Sequence, residues 1–248
     1  AAMAPAPPAV VRTRTSAMTL SHEVHGAGPD VVFLHSFPLD RSMWKAQLVA
    51  AGAAGRRAIL VHLPGFGASP LPAGAAPTMD AMAHAVLDTL DALGVARATF
   101  VGLSLGGYVA LAVAALAPAR VEALVLADTR AAAVDKMLPK LLAPDAPEAL
   151  RASVRATGAA QSREAVTFAL LAMRDRPDRG DIAAAIDAPT LVVVGARDEI
   201  TPPAEMRALA ATMRRARVVE LEGAGHLSSL ERPEGFNAAL AGFLTSGR

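Results

Sequence analysis

A serine between two glycines is the clearest chemical signal in the sequence. Ser104 stands in the pattern G-L-S-L-G at residues 102–106, after a short apolar run at 98–101 and before a helix-forming run that reaches about residue 117. The order of strand, G-x-S-x-G turn and helix is the context in which a serine hydroxyl is presented as a nucleophile, and glycine leaves room there for close backbone approach. We therefore predict Ser104 as a nucleophile. The alternative is a glycine-rich turn in which Ser104 only caps the helix.

A serine hydroxyl is a weak nucleophile and needs a base within hydrogen-bond reach. Six histidines are available. His226 is the best placed, because the glycine-rich loop at 222–226 follows the last predicted strand and can carry an imidazole over the edge of a sheet. The others lie on an edge strand, inside a helix or in turn motifs at strand ends: His22, His25, His84, His35 and His62. We predict His226 as the base, against the alternative of a loop histidine in solvent.

The imidazole in turn needs an acid that orients it. Asp198 closes the run G-A-R-D after the predicted strand at 190–194, and the sites of α/β sheets gather at the carboxyl ends of strands. Asp128 competes for this role, because it ends the strand that follows the serine helix and is also within reach of the histidine loop. We favour Asp198 as the acid, and the alternative role of Asp128 is to cap a turn.

Two N–H donors must stabilise the negative charge that develops on the carbonyl oxygen during serine attack. We expect one from Leu105, the residue after the serine, and the other from Phe37, in the loop that follows the predicted strand at 31–35. This chemistry requires no metal and no cofactor. The chain contains no cysteine, which excludes a thiol nucleophile, disulfides and cysteine-based metal sites.

Strands that are apolar throughout alternate with helical stretches and indicate a mostly parallel α/β sheet with right-handed crossovers. Strands are predicted at 18–25, 31–35, 58–62, 98–101, 122–127, 190–194 and 217–221. Helices are predicted at 41–53, 78–93, after Ser104 to about 117, at 203–214 and at 233–244.

This alternation stops between Asp128 and Asp187, where two helical patterns at about 134–142 and 147–173 are broken by prolines. The stretch is too long for a simple loop. We therefore predict that residues 18–128 and 188–248 form the core, that 129–187 form a helical cap inserted over the top of the sheet, and that 1–17 are a disordered lead-in.

Composition excludes several classes of function. The 248 residues suit one domain with an inserted subdomain. The 24 basic and 23 acidic residues are dispersed, so nothing indicates a nucleic-acid partner. No uncharged apolar stretch reaches the roughly 18 residues that span a bilayer, and residues 1–9 lack the pattern of a signal peptide. We expect a cytoplasmic monomer or homodimer that acts on a small molecule.

Several motifs together resemble those of the α/β-hydrolase superfamily, in the branch of small bacterial carboxylesterases, cofactor-free haloperoxidases and 3-oxoadipate enol-lactone hydrolases. They are H-S-F-P at 35–38, L-P-G-F-G-A-S at 63–69, G-L-S-L-G-G at 102–107, G-A-R-D at 195–198 and G-A-G-H at 223–226. The chain order of serine, aspartate and histidine is also that of the family. Two positions depart from it, since Ser36 replaces a usual glycine beside the oxyanion hole and His62 replaces a usual aspartate, where we expect an effect on loop anchoring.

The resemblance implies an acyl-enzyme mechanism. Ser104 attacks a carbonyl carbon, His226 takes the proton, Asp198 stabilises the imidazolium, and water then releases the acid. A serine nucleophile argues against dehalogenase and epoxide-hydrolase chemistry. Substrate choice is implied to lie mainly in the cap, and the residues that we expect to contact substrate are Trp44, Met137, Leu141, Phe168 and Leu171. The ordinary alternative for such an apolar stripe is the packing face of the cap.

The favoured function is a serine carboxylesterase for small to medium apolar esters. A close alternative is a lactonase of the 3-oxoadipate enol-lactone hydrolase type, with perhydrolase activity as a side reaction of the same acyl-enzyme. A non-catalytic ligand-binding protein on a hydrolase scaffold is the alternative from another class. Hydrolysis of a carboxylated lactone but not of simple esters favours the lactonase, and covalent labelling of Ser104 excludes the binding protein.

Overall fold

The computed structural model of the chain describes residues 18–131 and 141–246. Seven strands in this part of the chain form one sheet in the order β1-β3-β2-β4-β5-β6-β7. Their bounds are β1 His22–His25, β2 Asp30–Leu34, β3 Arg57–Val61, β4 Ala98–Leu103, β5 Val121–Ala127, β6 Thr190–Gly195 and β7 Ala216–Leu221. β1 pairs antiparallel with β3, and the other neighbours pair in parallel. The predicted α/β fold is confirmed, and the predicted lead-in lies outside the described residues.

The middle strands are apolar because helices cover both faces of the sheet. Every residue of β4 and β6 is buried, as expected for parallel strands between two helical layers. The register places Leu34 opposite Gly102 and Leu103 opposite Ala127. The carboxyl ends of β2, β4 and β5 therefore lie side by side, with the end of β6 next to β5, so that the loops that follow them meet at one edge.

The described part of the chain contains nine α-helices, several of which pack against the two faces of this sheet. Their bounds are α1 Leu48–Ala53, α2 Met79–Ala92, α3 Leu105–Leu116, α4 Glu148–Ala159, α5 Arg163–Arg174, α6 Gly180–Ala185, α7 Pro203–Thr212, α8 Ser228–Glu231 and α9 Pro233–Ser246. α2 and α3 share one core cluster with β2 and β4, and α1 and α9 share the other. The predicted helix at 41–53 is a 3₁₀ helix, Arg41–Gln47, followed by α1. The Thr78 side chain caps α2 by accepting the N–H of Ala81.

The segment between β5 and β6 contains α4, α5 and α6. The prediction of one helical pattern over 147–173 was wrong, because the chain breaks at Ala160 and the side chain of Ser162 starts α5 by accepting the N–H of Ala165. α6 follows as a short helix that apolar periodicity did not indicate. Most of the predicted helix at 134–142 lies outside the described residues. Within the described ranges, no helix combines the length and apolar character that crossing a membrane requires.

Candidate active site

Ser104 occupies the sharp turn between β4 and α3. Its φ of 50° and ψ of −111° lie in a region that non-glycine residues rarely adopt. A Cβ atom at Gly102 would collide with the carbonyl group of Gly106, and one at Gly106 would collide with that of Leu34. The two flanking glycines therefore permit the turn. The Ser104 side chain makes no capping hydrogen bond to α3, so its hydroxyl is directed to other partners.

The imidazole of His226 lies between the side chains of Ser104 and Asp198. Its Nε2 is 2.9 Å from Ser104 Oγ, and its Nδ1 is 2.9 Å from Asp198 Oδ2. Because a carboxylate only accepts hydrogen bonds, the ring proton is assigned to Nδ1, and Nε2 is then free to accept the serine O–H. The structure thus brings together the three side chains that the sequence placed on three separate loops.

Asp198 is held in the anionic state by its neighbours. Its Oδ1 accepts the N–H groups of Ile200 at 2.8 Å and Thr201 at 3.0 Å, and its Oδ2 accepts the hydroxyl of Thr201. Burial raises the pKa of the Asp198 carboxyl, but the hydrogen bond and charge of His226, together with the Thr201 donors, outweigh burial and keep this pKa below its usual range. A carboxylate in this state can stabilise an adjacent imidazolium.

Asp128, the alternative acid, points to other partners. It is fully buried at the end of β5 with a φ of 44°. Its Oδ1 accepts the N–H of Gly195 at 2.8 Å, and its Oδ2 accepts the N–H and the hydroxyl of Ser228. Burial, and then the charge of Asp198, raise the pKa of the Asp128 carboxyl well above its usual range. Asp128 therefore joins the ends of β5 and β6 to the chain just after His226, while Asp198 contacts the ring.

The two predicted oxyanion donors lie on neighbouring segments. Leu105 is the first residue of α3, and the N–H groups of a first helical turn have no partner within the helix. Phe37 lies three residues beyond the end of β2. Gly106 packs directly on the carbonyl groups of Leu34 and His35, which brings the start of α3 against the chain that leads to Phe37. The role of both N–H groups stays a prediction.

His35 is fully buried beside these segments. Its Nε2 accepts the N–H of Leu63 at 2.9 Å, so that its Nδ1 carries the proton and donates to the carbonyl of Ser36 at 3.0 Å. The neutral ring therefore joins the chain after β2 to the loop after β3. Burial lowers the pKa of the His35 imidazole to about 4, although the bond to Ser36 acts in the opposite direction.

His62, which departs from the family pattern, anchors the loop at 63–69. Its Nδ1 accepts the N–H of Ala68 at 3.2 Å, and its carbonyl accepts the hydroxyl of Ser69 at 2.7 Å. Burial, and then the charge of Arg41, lower the pKa of the His62 imidazole. The ring lies so close to Gly67 that a Cβ atom there would collide with it. These contacts agree with the expected effect on loop anchoring.

The residues predicted to contact substrate have core positions or lie in partly buried segments. Trp44 is fully buried, with its ring 5.4 Å from Phe33 and 5.9 Å from Phe236. Phe168 is buried in the cluster that contains Phe66. Leu141 and Leu171 are half-buried, and Met137 lies outside the described residues. Contact of these side chains with a substrate stays a prediction.

The sequence analysis missed three polar residues next to the site. Thr201 holds Asp198, Thr129 donates its hydroxyl to the Ser104 carbonyl at 2.9 Å, and Glu231 accepts N–H groups on both sides of His226. Two of them stand within five positions of the predicted acid or base in the sequence. Polar residues at such short spacing are the signal that could have found them.

Comparison with known proteins identifies the family. The model of the Alpha/beta hydrolase family matches residues 31–239. The chain belongs to this family. The hydrolase is 33% identical to the pimeloyl-[acyl-carrier protein] methyl ester esterase of Chromobacterium violaceum, over 90% of this chain and 97% of that protein. The resemblance drawn from the motifs is thereby confirmed.

Two solved structures are also similar to this α/β hydrolase in fold and sequence. A thermophilic esterase from Thermogutta terrifontis is 35% identical, with a TM-score of 0.85 over 91% of this chain and 92% of that chain. The enol-lactonase from Burkholderia xenovorans LB400 is 29% identical, with a TM-score of 0.84 over 92% and 96% of the two chains. Esterases and an enol-lactonase are therefore among the proteins that are similar to this chain in sequence and fold.

Proposed function

We propose that this α/β hydrolase is a serine carboxylesterase that acts through an acyl-enzyme on small to medium apolar esters. The observation that carries the proposal is the His226 imidazole, which lies 2.9 Å from Ser104 Oγ on one side and 2.9 Å from Asp198 Oδ2 on the other. This arrangement is the one that a serine nucleophile requires, since the base reaches the hydroxyl and the acid orients the base.

The proposed reaction has two halves. Ser104 Oγ attacks the ester carbonyl carbon while its proton passes to His226 Nε2, and the N–H groups of Leu105 and Phe37 stabilise the oxyanion. Collapse of the tetrahedral intermediate breaks the bond to the alcohol oxygen, which takes the proton from His226. A water molecule then loses a proton to His226 and attacks the acyl carbon. Collapse of this second intermediate breaks the bond to Ser104 Oγ, which takes the proton back from His226 as the carboxylic acid leaves.

We also propose that residues 129–187 form a cap over this site. α5 packs closely on the loop at 63–69, because Ala165 lies against Gly65, and α4 reaches the chain after β2, because Gly158 lies against Pro38. Ser104 is only 8% exposed, which favours substrates small enough to enter beneath such a cover. A substrate sits between the cap and the carboxyl ends of the strands in this proposal.

A lactonase is the second candidate, favoured by the likeness to the enol-lactonase from Burkholderia xenovorans LB400. A lactone is an internal ester, so the same proton transfers open its ring, and the alcohol stays attached to the acyl group. The difference between the two candidates lies in the groups that hold the substrate.

The experiment is the hydrolysis of p-nitrophenyl esters from acetate to laurate, beside a panel of lactones that includes a carboxylated enol-lactone. Ser104→Ala is expected to lower kcat by about 10⁴-fold or more. Ser229→Ala is the matched control, because that buried hydroxyl has no hydrogen-bond partner in the described part of the chain. Hydrolysis of lactones alone favours the second candidate, and full activity in Ser104→Ala contradicts both.

A further inference from the structure

Glu231, at the end of α8, is a buried carboxylate that the proposed reaction does not use. Only 7% of the residue is exposed. Its Oε1 accepts the N–H of Gly225 at 3.0 Å and that of Leu227 at 3.3 Å, and its Oε2 accepts the N–H of Ala143 at 2.7 Å. The donors that contact it within the described ranges are thus backbone N–H groups, and hydrogen bonds to an ionised acceptor are among the stronger ones in proteins.

Two of these bonds involve the residues immediately before and after His226, Gly225 and Leu227. Residues 222–227 form the loop between β7 and α8, which we call the histidine loop. This loop contains Gly223 and Gly225, and glycine restricts the backbone less than any other residue. A single carboxylate oxygen that binds the N–H groups immediately before and after His226 fixes the backbone that carries the imidazole.

The third bond joins the histidine loop to the segment between β5 and β6. Gly225 packs so closely on Leu142 and Ala143 that a Cβ atom at residue 225 would collide with the backbone there. On its other side, the carbonyl of Gly225 lies against Gly195 at the end of β6. The histidine loop is therefore enclosed between the strand end that precedes Asp198 and the proposed cap, and Glu231 bonds both the loop and the cap.

We propose that Glu231 is a positioning residue for hydrolysis, whose carboxylate sets the place of His226 and couples it to the proposed cap through Ala143. The proposal rests on the proposed function, because His226 must act as the base for its placement to affect catalysis. Glu231 contacts none of the reacting atoms. A displacement of about 1 Å at a catalytic group can lower the rate about 100-fold, so loss of this anchor is expected to appear in kcat.

The substitutions Glu231→Gln and Glu231→Ala separate positioning from packing. A glutamine has the same shape but only one acceptor oxygen, so it can bind either the histidine loop or Ala143 and presents an NH₂ group to the other. We expect kcat to fall about 10-fold in Glu231→Gln and about 100-fold in Glu231→Ala, with KM changed less than about 3-fold. Glu234→Gln is the matched control, because Glu234 is an exposed glutamate three residues away, and it is expected to keep the wild-type kcat.

A second measurement does not depend on activity. The proton on His226 Nδ1, which is donated to Asp198, is expected to give a downfield resonance in proton NMR. We expect this resonance to be retained in Glu234→Gln and to shift or broaden in both Glu231 variants. Unchanged kcat and an unchanged resonance in folded Glu231→Gln overturn the proposal, as does a loss of stability with kcat unchanged. If Glu231→Ala does not fold, Glu231→Gln decides alone.

The two proposals fail in different ways. If the wild-type protein hydrolyses no ester or lactone, the proposed function fails, and the resonance still reports whether Glu231 positions His226. If the wild-type protein is active and Ser104→Ala is not, but Glu231→Gln equals the wild type in both readouts, only the positioning role is refuted.

Discussion

Acidification is expected to destabilise the fold through His35, a histidine that must stay neutral. The ring is fully buried, donates from Nδ1 to the carbonyl of Ser36 and accepts at Nε2 from the N–H of Leu63. A proton on Nε2 would place two donors against each other and would put a charge in an apolar site. The same contacts hold the chain that leads to Phe37, one of the proposed oxyanion donors.

The magnitude follows from the pKa of His35. Burial lowers this pKa from 6.5 to about 4, and a difference of that size corresponds to about 3 kcal/mol of folding free energy in total. Between these two pH values the unfolded chain binds a proton at His35 and the folded chain does not. The contribution of neutral His35 to the free energy of unfolding is therefore present above pH 6.5, declines as the pH falls, and is lost below about pH 4. Between pH 7 and pH 5 the expected loss is about 2 kcal/mol.

The test compares urea unfolding of the wild type and His35→Gln at pH 7, 6 and 5. Glutamine is neutral at every pH and its Oε1 can accept the N–H of Leu63, so this variant should lose about 2 kcal/mol less than the wild type on acidification. His84→Gln, at an exposed site on α2, controls for the removal of a histidine and should follow the wild type. If the free energy of unfolding falls by the same amount from pH 7 to pH 5 in the wild type and in His35→Gln, His35 does not account for the loss of stability.

Substitutions at two further residues, Thr201 and Asp128, test the surroundings of the proposed acid. Thr201→Val removes the hydroxyl that donates to Asp198 and should lower kcat/KM about 10- to 100-fold, because a hydrogen bond to a charged group contributes about 1.5–3 kcal/mol; kinetics equal to the wild type would speak against this role. Asp128→Asn tolerates positive φ but keeps only one acceptor oxygen, so its NH₂ group faces the N–H of either Gly195 or Ser228, and urea unfolding should show a loss of about 1–2 kcal/mol. Asp128→Ala leaves both N–H groups without this acceptor and should lose about 3–5 kcal/mol. Equal losses in the two Asp128 variants would contradict the assignment of hydrogen bonds.

Local steric and apolar signals made the fold predictable from the sequence. The run at 31–34 is apolar without alternation, a pattern typical of a strand covered on both faces, and it lies in β2. Gly102 and Gly106 predicted a tight turn at Ser104, and both glycines do lie where a Cβ atom would collide with backbone. The bounds of α4 and α5 were harder, because the cap of Ser162 is a weaker signal than the apolar period that continues across it.

The sequence favoured Asp198 over Asp128 as the acid, but it could not show which of the two carboxylates contacts the imidazole. Both follow strands that end at the same edge of the sheet, and the choice depends on which carboxylate faces the ring. Asp128 has a positive φ, and its carboxylate accepts hydrogen bonds from Gly195 and Ser228. Nothing in the neighbouring residues indicates that conformation. Tertiary contact, not local pattern, decides the orientation.

The role of Glu231 was not predicted from the sequence, because it too depends on tertiary contacts. Glu231 lies near an exposed arginine and an exposed glutamate, in a stretch whose sequence is typical of a solvent-exposed helix N-terminus. One of its partners, Ala143, is 88 residues away along the chain. A contact over such a separation exists only once the sheet has brought the strand ends together.

Labelling with a fluorophosphonate, followed by mass spectrometry of the peptides, tests the central claim most directly, because the reagent reacts with activated serine hydroxyls. The account predicts one phosphonyl group per chain, located on Ser104, together with complete loss of ester hydrolysis and no adduct in Ser104→Ala. An adduct on another residue, or hydrolysis that persists in fully labelled protein, would contradict the claim that Ser104 is the nucleophile.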